Sequence, residues 1–447
     1  MVMKVGFVGL GKLGLPVSVA MCNHTRHEFH VYDLDAEKMR RIFRGETDLY
    51  EPLLVEQLRA ALDSGGYLAN NSIAELVAQR PDLIFIAVPT PTKKDSAKFS
   101  LGYVEQVVEQ IGVAARSLEA APVVAVISTM LPGDTRRSIA PIYAQASGNP
   151  DNARKILYNA SFIAMGTTVA DFLSPEFVLI GESDPKSGMI LEEFYKSLYS
   201  IIYAGGKVNY KDGESTTFGG GVYLSPPNPP ILHMAWEEAE LTKMAYNTYI
   251  GQKIVMANTL MEICHKIGNA NVDVVTNALS KATKRLVSTA YMRGGMGDGG
   301  GCHPRDNFAL AELAEELHLS TNPFEYIMSA RLQQARWIAG LLMGCDLPIV
   351  LMGKRYKPNT NLTDYSVVFL VETITWARSV FYDPLIGLTP TIEGPHFFLI
   401  SHTFDFVHQL DLYPKDSIII DPWRCFSTLE VDKLKDRGVK YVPLGVS

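Results

Sequence analysis

The chain has 447 residues, too many for one ordinary core, so length alone sets an expectation of two or three domains. With 47% hydrophobic and 20% charged residues it has ordinary globular composition. A net charge of -7 without a basic run argues against nucleic acid as the main partner. An anionic substrate would therefore need local cations or helix N-termini. The cysteines Cys22, Cys264, Cys302, Cys345 and Cys425 form no CxxC pair and no secretory framework, which points to a reducing cytoplasm. The histidines include no HExxH, so no metal is expected. No apolar run approaches about 18 residues, so no membrane span is expected.

Roughly the first 200 residues alternate short apolar runs with amphipathic stretches, the pattern of a parallel sheet covered by helices. Strands are predicted at Lys4–Val8, Glu28–Asp33, Leu83–Val88, Val123–Ser128 and Phe177–Gly181, and helices at Leu13–Cys22 and Val104–Arg116. Between Ala204 and Pro230, glycine clusters and Ser225-Pro-Pro-Asn-Pro-Pro230 mark an insertion or linker with no assignable role. A long helix is predicted from about Trp236 to His265 and a second near Val272–Ser280. The segment Arg293–Cys302 is too glycine-rich for helix or strand; helices should follow from Pro304 and over Pro323–Met343. Apolar runs at Pro348–Gly353, Val380–Asp383, Phe397–Ser401 and Ser417–Asp421 indicate a second α/β domain.

Gly9-Leu-Gly11-Lys-Leu-Gly14 follows the first strand and opens a helix. Such a turn lets backbone approach a pyrophosphate, which rests on the positive helix end. Asp33 ends the next strand; there an acid suits the ribose 2′-hydroxyl of NAD and repels the 2′-phosphate of NADP. The site expected for NAD comprises Gly9, Gly11, Lys12, Leu13, Gly14, Asp33, Lys38, Thr90 and Thr129. Val88-Pro-Thr90-Pro91 either lines this crevice or is simply a proline-stiffened turn. The expected fold is α/β: two Rossmann-like doubly wound domains joined by a central helical domain with a long helix. The expected divisions are 1–203, 204–230, 231–343 and 344–447.

Cys302 closes the glycine loop and precedes His303-Pro304-Arg305-Asp306. Proline prefers the first helical position, so Cys302 should stand just ahead of a helix N-terminus, where the thiolate is favoured. The glycines would admit a substrate and could offer N–H groups to an oxyanion. Cys302 is thus either a nucleophile or a small buried residue beside a loop. Glu240, Lys243 and Asn247 share one helix face, either as a catalytic group or as a solvated, salt-bridged surface.

In order and spacing these pieces resemble the UDP-glucose/GDP-mannose dehydrogenase family along essentially the whole chain. The motifs are the N-terminal glycine turn, Tyr50-Glu51-Pro52, Val88-Pro-Thr90-Pro91, Ser128-Thr129 and Glu240-Leu-Thr-Lys243 with Asn247. They continue with Gly299-Gly-Gly-Cys302-His-Pro-Arg-Asp306, Gly353-Lys-Arg-Tyr-Lys357, Tyr382-Asp-Pro384 and Ile420-Asp-Pro-Trp-Arg424. The resemblance implies oxidation of a nucleotide sugar's C6 alcohol to the uronate, with two NAD per sugar and a cysteine-bound thiohemiacetal and thioester. It implies Cys302 as nucleophile, Lys243, Asn247 and Asp306 around the oxyanion and water, and Thr129 holding water. The substrate residues it implies are Phe162, Lys243, Asn247, Arg285, Gly299, Tyr356, Lys357 and Arg424. Arg285 resembles an arginine that reaches a neighbouring subunit's sugar, so a homodimer or higher homo-oligomer is expected.

Departures cluster around the expected substrate. Where the family has Asn-Pro-Glu-Phe-Leu-x-Glu-Gly, this chain has Asn159-Ala-Ser-Phe-Ile-Ala-Met-Gly166, so Ser161 and Met165 replace two acids. Arg305 stands for a lysine, Asp298 for an aromatic residue, and Asn361-Leu-Thr-Asp364 for Asp-Asp-x-Arg. UDP-sugars are slightly favoured. The alternatives are an atypical sugar, a single oxidation stopping at the aldehyde, or a non-catalytic nucleotide-sugar binder. A 6-phosphogluconate-type dehydrogenase needs neither Cys302 nor residues 348–447.

Overall fold

The computed structural model describes residues 2–204, 229–267, 269–283, 293–296, 300–316, 318, 322–344, 346–363, 366–375 and 378–446. Arg285, Asp298, Gly299, Cys345, Asp364 and most of the 204–230 segment lie outside the described residues. The chain forms two compact units. The first holds Met1–Gly213 and Tyr223–Ala245; the second holds Glu214–Val222 and Tyr246–Ser447.

The first unit is built on eight strands: β1 (Lys4–Val8), β2 (Glu28–Tyr32), β3 (Tyr67–Ala69), β4 (Leu83–Ile86), β5 (Val123–Val126), β6 (Ile156–Tyr158), β7 (Val178–Glu182) and β8 (Ile231–Ala235). Their order is β3-β2-β1-β4-β5-β6-β7-β8. The pairs from β3 to β6 are parallel, and β7 runs antiparallel to β6 through Tyr158 and Gly181. The antiparallel pair departs from the expected parallel sheet. The short strands β3 and β6 escape periodicity because three residues cannot show an alternation. β8 lies where helical sequence was expected to begin, and it pairs with β7 in parallel.

Helices cover both faces, so the strands are apolar on both sides. Val5, Phe7, Phe29, Val31 and Phe85 face one core, while Val8, Ile84, Ile86, Val124 and Val126 face the other. Each fully buried side chain of this size contributes about 1.5–3 kcal/mol.

The second unit repeats the plan with β9 (Ile349–Met352), β10 (Ser379–Tyr382), β11 (Phe397–Ile400), β12 (Ile418–Asp421) and β13 (Lys440–Pro443). All four pairings are parallel, in the order β10-β9-β11-β12-β13. Ile349, Leu351 and Leu399 pack with Met261, Val272 and Ile338 from helices; Val350, Met352 and Phe398 face the opposite core. The long helix, Trp236–Ile267, starts in the first unit and continues in the second.

In each sheet the chain leaves a central strand toward opposite sides. β1 stands between β2 and β4, and β9 between β10 and β11. The carboxyl ends of such strands open the crevice where doubly wound sheets take ligands.

Candidate active site

At the carboxyl end of β1 each glycine answers a different demand. Gly9 has φ +97°, and a Cβ there would lie 2.5 Å from the Ala87 carbonyl oxygen. A Cβ on Gly14 would lie 1.9 Å from the Gly9 carbonyl oxygen, so the start of the Gly14–Asn23 helix can pack here only without a side chain. At Gly11 a Cβ would meet nothing within 4 Å. Packing does not require Gly11; its bareness leaves room for a phosphate to approach the backbone.

Asp33 closes this turn from the end of β2. Its Oδ2 accepts from the Leu10 N–H at 2.7 Å, and its Oδ1 accepts from Lys38 Nζ at 2.9 Å. Asp35 caps the following helix by accepting from the Lys38 N–H. Across the crevice, Ser128 Oγ accepts from the Val88 N–H and donates to the Val88 carbonyl, while Thr90 Oγ1 donates to the Thr129 carbonyl at 2.9 Å. The ends of β4 and β5 are thereby tied together, with Thr129 half-buried between them.

The face bearing Glu240, Lys243 and Asn247 is buried, so the solvated salt-bridged reading of this helix is wrong. Lys243 Nζ donates to the Ser161 carbonyl at 2.6 Å and lies 5.0 Å from the centre of the Phe162 ring. A desolvated ammonium over an aromatic face is held in place by both contacts. Ser161 thus meets Lys243 through its backbone, where the family pattern has an acid two residues after Asn159. Asn159 itself donates to the Leu179 carbonyl and accepts from Tyr195 Oη. Glu51 braces the end of this segment by accepting from the Gly166 and Thr168 N–H groups at 2.9 and 2.7 Å.

In the second unit, the helix Cys302–Glu316 begins two residues earlier than proline preference predicts. Pro304 is still tolerated, because N–H groups of a first turn have no intrahelical acceptor to lose. Cys302 is exposed at this end, which excludes the buried-residue reading. One turn on, Asp306 is fully buried and accepts from Asn247 Nδ2 and from Arg305 Nε and Nη2, the latter two at 3.2 Å. Gly295 is gripped on both sides: its N–H donates to Asn258 Oδ1 and its carbonyl accepts from Gln334 Nε2. Spacing did not reveal this amide pair, since Asn258 and Gln334 come from distant helices.

Between the carboxyl ends of β9 and β10, Asp383 is completely buried and accepts from the Lys354 and Arg355 N–H groups and from Arg355 Nε at 3.0 Å. Lys357 is buried and lies 5.6 Å from the Tyr356 ring centre. His402 stacks on Trp423 with ring centres 4.4 Å apart. Burial, then the charges of Lys357, Arg293 and Arg355, push the His402 imidazole down to about 3. Gly300 has φ +88° and sits against the Tyr356 ring.

Arg424, expected at the nucleotide part, has several partners within its own unit. Its guanidinium donates to Asp273 Oδ2 at 2.7 Å, the Gly294 carbonyl at 2.6 Å, the Leu444 carbonyl at 3.2 Å and the Pro422 carbonyl. It ties the glycine loop to the end of β12, where Asp421 accepts from the N–H groups of Trp423, Arg424 and Cys425.

Residues 3–199 match the model of the UDP-glucose/GDP-mannose dehydrogenase family, NAD binding domain, and residues 237–331 match the central domain of the same family. The chain belongs to the UDP-glucose/GDP-mannose dehydrogenase family. GDP-mannose 6-dehydrogenase of Pseudomonas aeruginosa is 27% identical over 83% of this chain and 78% of its own length. UDP-glucose 6-dehydrogenase of Rhizobium meliloti is 25% identical over 97% of this chain and 92% of its own. In fold, the chain is similar to a UDP-glucose dehydrogenase from Pyrobaculum islandicum, with TM-score 0.81, 24% identity and coverage of 100% and 98%. A UDP-D-ManNAc dehydrogenase from Pyrococcus horikoshii superposes with TM-score 0.78 at 20% identity, covering 99% of both chains.

Membership makes this an oxidoreductase with NAD as its cofactor, and the turn after β1 fits that molecule. The fit rests on the open Cβ position of Gly11 between two sterically obligatory glycines. No helix among the described residues is long and apolar enough to cross a membrane. Among the described residues, no group of three or more His, Cys, Asp or Glu could hold a metal ion.

Proposed function

We propose that this family member oxidises the C6 alcohol of a nucleotide sugar to the uronate, with a UDP-sugar favoured and Cys302 as nucleophile. The observation that carries the reading is the exposed Cys302 thiol on a helix's first turn, with the buried Asp306 and its Asn247 and Arg305 donors one turn behind. The preference for UDP leans on the relative from Rhizobium meliloti, which aligns along nearly the whole chain.

Two NAD molecules, bound in succession, would supply the hydride acceptors for the two oxidations. Gly9, Gly11 and Gly14 form its pyrophosphate turn with Lys12 and Leu13, while Asp33 and Lys38 address the ribose and Thr90 and Thr129 line the crevice. Lys243 is the cation assigned to the substrate's alkoxide, over Phe162. The Cys302 thiolate adds to the aldehyde carbon, forming a C–S bond and a thiohemiacetal. Loss of its hydride leaves a thioester, and water then releases carboxylate and thiol. Asn247 and Asp306 hold donors and protons near that oxyanion, and Thr129 orients water.

Within 344–447, Tyr356 and Lys357 are assigned to the nucleotide part. Arg424 is assigned there as well, and its guanidinium also holds the Gly294 carbonyl. Arg285 and Gly299 complete the set. A homodimer or higher assembly in the cytoplasm is inferred; Tyr249 and Met256, two turns apart on the long helix, are exposed and suit a second copy.

A second reading follows from Ser161. Without a carboxylate at that position, the second oxidation would not be completed and the reaction would stop at the aldehyde. Counting NADH formed per sugar across UDP- and GDP-sugars separates the two. Two NADH per sugar support the uronate, and one supports the shortened course. Cys302→Ser should abolish uronate while sparing NAD binding; full activity in that variant would sink the covalent route.

A further inference from the structure

Glu240 is completely buried, yet none of the roles assigned above employs it. Its carboxylate gathers three donors from one turn of chain: the Gly133 N–H at 2.5 Å, the Thr135 N–H at 2.8 Å and Thr135 Oγ1 at 2.6 Å. That turn continues directly from β5 and Thr129, and it is tightened by Asp134 Oδ2 accepting from the Leu131 N–H at 2.9 Å. Thr129 is itself held by Thr90. Hydrogen bonds at Thr129 and at Gly133 and Thr135, joined by the short backbone between them, therefore link the end of β4 to Glu240. One helical turn beyond Glu240 is Lys243, fixed on the Ser161 carbonyl.

We propose that Glu240 is a positioning residue: its carboxylate clasps Gly133 and Thr135, sets the Thr129 turn against the Lys243 helix, and must be ionised for turnover. The inference rests on the NAD-dependent dehydrogenase reading given above.

Three donors converging on one side chain favour the carboxylate, which accepts at every approach without presenting a hydrogen of its own. A proton on the carboxyl adds a donor where three donors already point and removes the charge that strengthens their bonds. Burial pushes Glu240 up to about 7, partly offset by the three hydrogen bonds; Asp134 nearby adds to the rise. The other charges near it are Arg136 and Glu237, which pair with each other at the surface, and Lys243, which is turned to Ser161. Glu240 is thus raised above its unfolded value. Its contribution to stability is full below that unfolded value and is lost as pH rises through about 7. The clasp forms in that same rise. Activity and stability therefore move in opposite directions with pH, which a merely structural carboxylate would not produce.

The test compares wild type, Glu240→Gln and Thr135→Val, measuring kcat and KM from pH 5.5 to 9 with the nucleotide sugar that turns over, and thermal unfolding over the same series. Wild-type kcat should fall about tenfold per pH unit below the Glu240 midpoint. Glu240→Gln should lose about tenfold in kcat at high pH, keep its KM for NAD, and show no such acid limb. Thr135→Val removes one donor to the carboxylate, so its acid limb should move to higher pH. The melting-temperature difference between wild type and Glu240→Gln should change across pH 7. A wild-type acid limb retained by Glu240→Gln overturns the inference, as does a melting-temperature difference flat with pH, whether or not any sugar turns over. Absence of turnover by wild type with every sugar overturns the dehydrogenase reading instead.

Discussion

The turn after β1 and the turn after β9 use one device with different results. In both, a glycine of positive φ donates its N–H to a tyrosine carbonyl on the neighbouring strand: Gly9 to Tyr32 and Gly353 to Tyr382. In both, the next N–H donates to the aspartate after that tyrosine: Leu10 to Asp33 and Lys354 to Asp383. The chains then diverge. After Gly9 come two more glycines and a helix, and Asp33 keeps one oxygen on the partly exposed Lys38. After Gly353 comes Arg355, which seals Asp383 in a fully buried ion pair beneath the Phe404 ring. An acid at a strand end is thus no cofactor signal by itself; the residues after the glycine decide whether it stays beside a partly exposed lysine or is sealed by a buried arginine.

The sharpest way to break the comparison is to remove the cation from each side. Arg355→Met leaves Asp383 uncompensated and should cost about 3–5 kcal/mol in denaturant unfolding. Lys38→Met should cost under about 1 kcal/mol, because its pair is partly exposed, while weakening NAD. Equal losses would mean that the two aspartates are held alike.

Within the first turn, Gly14→Ala should destabilise by about 1–3 kcal/mol, since its Cβ would meet the Gly9 carbonyl. Gly11→Ala should leave stability within about 0.5 kcal/mol and weaken NAD in titration calorimetry. Unchanged NAD affinity there would remove Gly11 from the pyrophosphate site.

The smallest effect concerns His402. Its folded value lies below the unfolded one, so its contribution is present above about pH 6.5 and is lost as pH falls toward 3. His402→Gln should flatten part of that acid slope in unfolding measurements; an unaltered slope would assign it to other groups.

Much of this was legible in the chain. β1, β2, β4, β5 and β7 could be read as apolar runs, and the glycine turn with Asp33 could be read from spacing. β3, β6 and β8 could not, because they are short or only partly buried and gain their strand form from neighbours already in the sheet. The candidate site was legible as a set of residues, but not as a set of partners. The internal bonds of Arg424 could not be read from spacing, and of the two readings open for the Glu240 face, burial under three donors excludes the solvated one.

The α/β class, the NAD turn and the thiol at a helix start follow from the amino-acid sequence alone, because each depends on local periodicity, glycine sterics or a helix start. Which charged groups are sealed against partners within the chain, and which stay partly open, depends on tertiary packing. Asp33 and Asp383, Lys357 and Arg424 differ in their partners far along the chain, and burial sets what each partner is worth.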